Sequence, residues 1–76
     1  MMLSRSWLTQ LRLKKFELQK HLAEAIGVSA ALICQWEAGA RRPSYDKMCL
    51  LAKVLGAEVH QHFADEAEAR QSGQVA

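Results

Sequence analysis

Three histidines and two cysteines are the residues of this chain best suited to holding a metal ion, and Arg41-Arg42 is one of its basic clusters. His60 and His62 stand two apart, which on a helix turns the rings to nearly opposite sides. His21, Cys34 and Cys49 are scattered, and no Cys-x-x-Cys occurs. That spacing argues against zinc. No nucleophile, base and orienting group fall at a catalytic spacing, and no Gly-rich phosphate loop precedes a helix. The residues therefore point to neither an enzyme nor a cofactor. Adjacent guanidinium groups do have a chemistry: they neutralise phosphates and release the counterions condensed on a nucleic acid.

Composition sets the frame for these side chains. A chain of 76 residues permits one small domain, burying only about 60 % of its unfolded surface. Half of the residues are hydrophobic, and no apolar run approaches the roughly 20 residues of a membrane span. The first residues lack a basic stretch followed by an apolar one, so no secretory signal is expected and the expected location is cytoplasmic. Two cysteines are few for a small disulfide scaffold, which favours reduced thiols. The net charge of +2 hides an asymmetry: residues 1–53 hold nine Lys/Arg against four Asp/Glu, and residues 54–76 hold one against four. A basic surface at one end suits a nucleic acid and leaves the acidic end for another task.

The elements that position these groups read as helices. Trp7, Leu8 and Leu11 form an apolar stripe over residues 4–15. Leu22, Ala23 and Ile26 give a second helix its apolar face, and Val28, Ile33 and Trp36 give the next one another, so the two faces must meet. Ala23 is small enough for close backbone approach, and Gly27 tolerates the positive φ of a tight turn. Ser29 can cap the third helix, over residues 29–38. Gly39 is a helix C-cap, and Pro43 prevents easy continuation. Ser44 caps a fourth helix over residues 45–55, with Met48, Leu51, Ala52 and Leu55 inward and Gly56 as its end. A fifth starts near Glu58, buries Val59 and Phe63, and runs through an acidic stretch to residue 70. The expected architecture is all-α: one domain over residues 1–70, a compact bundle of about five helices, with residues 71–76 as a frayed tail.

Ala23, Gly27 four residues on, Val28-Ser29, Ile33 and Trp36 together resemble the helix-turn-helix of the Cro/CI-type bacterial and phage repressors. The resemblance extends to Arg12 on one side and to residues 51–56 and Phe63 on the other. It implies a lambda-repressor-like DNA-binding domain. It departs from the family pattern at Phe16, Glu17 and Leu18, where that pattern has a Gly, an apolar residue and a polar cap. Either Phe16 or Leu18 is expected to supply the missing core contact, and the second helix is expected to begin without a side-chain cap.

The resemblance also implies roles. Residues 29–38 become the recognition helix, with Ser29, Ala30, Ala31, Cys34 and Gln35 outward. Of these, Ser29, Ala30, Ala31 and Gln35 are the expected base contacts, since Gln pairs bidentately with adenine and Ala touches a thymine methyl. Cys34 is read as a small packing residue. Gln19 at the start of the second helix is expected at a phosphate, as are Lys20, Arg41, Arg42 and Lys47. Arg12 and Glu37 match a pair that forms a salt bridge in the family, and Trp36, Ala23 and Gly27 are structural. The implied partner is double-stranded DNA, bound by a homodimer whose contacts come from Leu50 or the fifth helix around His62. A protein partner is the rival: an antitoxin sheathing a toxin with its acidic helix, or an adaptor. No membrane partner is expected.

Overall fold

The computed structural model describes residues 4–75, with side chains from Ser4 to Ala69. Gly27 stands at the pivot of the chain. Helix α2, Gln19–Ile26, ends where Gly27 adopts φ 77°, ψ 36°, and the Gly27 N–H donates to the Ala23 carbonyl. This left-handed conformation is open to glycine at no side-chain cost. Ser29 then starts helix α3, Ala30–Ala38, its hydroxyl accepting from the Leu32 N–H at 3.2 Å. Gly39, at φ 81°, closes α3 in the same left-handed way.

Helix α1 is Ser6–Leu13, shorter at both ends than the apolar stripe suggested. Its C-terminal end is set by the Arg12 carbonyl, which accepts from the Lys15 and Phe16 N–H groups at 2.9 and 2.6 Å. Arg5 precedes the helix with its backbone N–H given to the Glu37 carbonyl at 2.7 Å. Helix α4, Tyr45–Leu55, follows Ser44, whose hydroxyl accepts from the Lys47 N–H, and it ends at Gly56. Helix α5 is Glu58–Val75. The tail expected at residues 71–76 lies outside the residues whose side chains are described.

All five helices contribute to one core. The largest fully buried side chains are Trp36, Phe63, Leu8, Leu22, Ile33, Leu51 and Val59. Trp36 carries α3 into this core, and Ala23, 3 % exposed, is the small buried residue of α2. In the irregular link between α1 and α2, Phe16 is half-buried against the core while Leu18 is 48 % exposed, so Phe16 supplies the contact. Leu18 precedes α2 without a side-chain cap. The link is held instead by Arg12 Nη1, which donates to the Phe16 carbonyl at 3.2 Å and to the Glu17 carbonyl at 2.8 Å. No helix among the described residues is long and apolar enough to cross a membrane.

Candidate nucleic-acid interface

The rotation of α3 about its axis decides which side chains it offers to a partner. Ile33, Trp36 and Glu37 point inward, so Ala31, Cys34, Gln35 and Ala38, at helical spacing on the opposite side, are exposed. Ser29 is exposed as the cap. Ala30 departs from the sequence expectation: it lies three residues before Ile33, shares its side of the helix, and is half-buried against the core. The outward strip therefore starts at Ala31, and Gln35 is its one residue with an amide.

Beneath that strip, α3 is anchored by a single carboxylate. Glu37 is 6 % exposed. Its Oε2 accepts from Arg12 Nε at 2.7 Å, and its Oε1 accepts from the Thr9 hydroxyl at 2.8 Å and from Gln19 Nε2 at 3.1 Å. A buried carboxylate needs this degree of satisfaction, because an unpaired buried charge is strongly destabilising. Arg12, 7 % exposed, gives its Nη1 donors to the 16–17 carbonyls. The hub ties α1, the start of α2 and the end of α3 together. It also fixes Gln19: one amide N–H is committed to Glu37 while the half-buried side chain keeps its second N–H at the N-terminus of α2.

A second polar cluster lies at the C-terminal end of α3, and Arg5 is its centre. Arg5 is 6 % exposed. Its Nε donates to both oxygens of Glu66 at 3.1 and 2.9 Å, and its Nη1 donates to the carbonyls of Trp36 at 2.7 Å and Arg41 at 2.8 Å. Glu66 also accepts from Trp7 Nε1 at 3.2 Å. Trp7 stacks on His62 with ring centroids 4.4 Å apart and meets Phe63 edge-on at 5.0 Å. His62, expected at a contact with a second copy, thus has one ring face covered by Trp7.

The five expected phosphate ligands separate into different environments. Lys20 and Arg41 are exposed, and among the described residues neither side chain has an ion pair. Lys47 is half-buried in the first turn of α4. Gln19 is held by Glu37. Arg42 is turned toward α5: Nη1 lies 3.6 Å from Glu66, Nη2 donates to the Phe63 carbonyl at 3.4 Å, and the guanidinium sits 5.3 Å from the Phe63 ring centroid. Tyr45, 70 % exposed, opens α4 just past this loop. Interaction with the neighbouring Cys49 side chain holds its phenol above the ordinary value.

Arg5, Thr9 and Glu66 escaped the sequence reading. Thr9 carries one signal, a hydroxyl one turn before Arg12 on the same side of α1. Arg5 and Glu66 are 61 residues apart, and nothing local links them. Cys34 and Cys49 are both free thiols, exposed and half-buried respectively. Among the described residues no three His, Cys, Asp or Glu side chains gather as metal ligands.

Two helices meeting through Ala23 and Gly27, with the second presenting a solvent-facing strip, form a helix-turn-helix. The family model described as helix-turn-helix matches residues 8–60, most of the chain. Comparison with curated proteins and with solved structures found no match. That family is one of DNA-binding regulators and not of enzymes. With α2, its turn and α3 all inside the matched span, the chain belongs to the helix-turn-helix family of the Cro/CI type.

Proposed function

We propose that this protein is a sequence-specific transcriptional regulator, a repressor that binds a near-palindromic operator as a homodimer inside the cell. The observation that carries the reading is the exposed strip Ala31, Cys34, Gln35 and Ala38 on a helix anchored from below by Glu37. Such a strip suits the major groove, where Gln35 reads adenine through N6 and N7 and Ala31 meets a thymine methyl. Ser29 and half-buried Ala30 stand at the leading end of the helix. Gln19, Lys20, Arg41 and Lys47 flank the strip and are assigned to phosphates, which fix register without reading sequence.

One such domain spans few base pairs, and two related by a two-fold axis double the interface and select a pseudo-palindrome. Leu50, off the buried stripe of α4 and 36 % exposed, supports a contact between copies on that helix. Selection of bound duplexes from a random pool, followed by gel shifts at two salt concentrations, tests the reading. Recovery of an inverted repeat with half-sites one helical turn apart supports it. Binding that is absent at both salt concentrations contradicts it and favours a protein partner.

A further inference from the structure

Glu66 and Arg5 both lie outside the family match at 8–60, yet together they govern the loop that follows α3. That loop carries two adjacent cations with different fates. Arg5 Nη1 grips the Arg41 carbonyl at 2.8 Å and the Trp36 carbonyl at 2.7 Å, so the backbone at Arg41 is fixed relative to the end of α3. The Arg41 side chain remains exposed. The next residue goes the other way. Arg42 faces Glu66 and the ring and carbonyl of Phe63, and its side chain is 30 % exposed. A guanidinium presents its donors in a fixed planar fork. One turned onto α5 has Nη2 given to the Phe63 carbonyl and Nη1 beside Glu66, although the residue as a whole stays exposed like Arg41.

We propose that Glu66 selects which loop cation meets a phosphate: it withdraws Arg42 onto α5 and, through Arg5, holds Arg41 in the outward position. Arg5 and Glu66 are positioning residues, since Arg5 is 6 % exposed and its Nε and Nη1 donors are spent inside the protein. The carboxylate acts a second way. Left beside the loop, its negative charge offsets one of the two guanidinium groups that face it, Arg5 and Arg42, and limits the attraction for DNA. Removing that charge while keeping the side chain's size frees Arg42 and adds a phosphate contact.

The proposal rests on the DNA-binding reading, and its test separates the two. The full chain and its Arg41→Ala, Arg42→Ala, Glu66→Gln and Glu66→Gln/Arg42→Ala variants are titrated with a random-sequence duplex over a range of KCl. Each phosphate contact contributes roughly 0.9 to the slope of log K against log salt. Arg41→Ala should lower that slope by about one contact, Arg42→Ala should leave it unchanged, and Glu66→Gln should raise it by about one contact. The double variant should return to the wild-type slope. Equal losses in Arg41→Ala and Arg42→Ala, or no rise in Glu66→Gln that keeps its thermal transition, overturns the proposal. If Glu66→Gln does not fold, Arg42→Ala against Arg41→Ala decides. A readout without DNA is the Arg42 side-chain N–H resonance, shifted by the Phe63 ring current in the wild type and less so in Glu66→Gln. An unshifted wild-type signal overturns the proposal even where DNA binds. A wild type that shows the shift but binds no duplex at low salt removes the DNA-binding reading, and the proposal with it.

Discussion

Arg12 Nε and Glu37 Oε2 lie 2.7 Å apart, with side chains only 8 % and 6 % exposed. This buried pair joins α1 to the end of α3 and sets the angle at which the exposed strip of α3 meets a partner. Desolvation offsets much of the attraction in such a pair, so its main consequence appears when one member is removed. Arg12→Met or Glu37→Ala should each cost about 3–5 kcal/mol. Urea titrations arranged as a double-mutant cycle check this, and the double variant should be less destabilised than the sum of the two. Simple additivity would mean that the two charges do not depend on each other.

Trp36 is 2 % exposed and is the largest fully buried side chain. Trp36→Ala should destabilise the domain by about 3–5 kcal/mol, most of what so small a fold possesses. Circular dichroism at 25 °C should show a largely unfolded population. A variant with the wild-type melting temperature would place the indole outside the core.

Gly27 sits at φ 77°, and a methyl group added there would meet no atom within 4 Å. The cost of Gly27→Ala is therefore conformational and not steric, roughly 1–2 kcal/mol for a left-handed L residue. Gly27→Asn should cost less, because Asn tolerates that region better. Chemical denaturation of the two variants should rank Ala below Asn. The reverse order would indicate that the turn rearranges.

Gln35 and Ala31 carry sequence preference under the proposed function. Gln35→Ala should reduce discrimination at one base pair by about 1–3 kcal/mol while leaving the fold intact, since the side chain is exposed. Enlarging Ala31 should change the selected sequence or block docking. Ala30 is half-buried, so enlarging it should lower the melting temperature as well. Quantitative binding to single-base variants of the selected operator, read beside the melting curves, separates these outcomes. A preference unmoved by either exposed position would assign the strip to a protein surface.

What the sequence by itself determined are the features encoded within a turn or two of chain. The left-handed turn at Gly27, the Ser29 and Ser44 caps, the end at Gly39 and the full extent of α4 were legible because each rests on one residue's backbone preference or a hydroxyl that accepts from the N–H three residues on. The meeting of Arg12 with Glu37 was accessible only through the family resemblance, because spacing alone links no charges 25 residues apart. Tertiary structure decided the rest. The exact rotation of α3 moved Ala30 inward, since the apolar periodicity of a helix rich in alanine leaves its orientation loosely specified. The C-terminal end of α1 is set by the Arg12 carbonyl, His62 is covered by Trp7, and Arg42 turns to a Glu66 that Arg5 meets across 61 residues. Side chains that distant become neighbours only once the core has closed, and local propensity does not encode which charge pairs it will enclose.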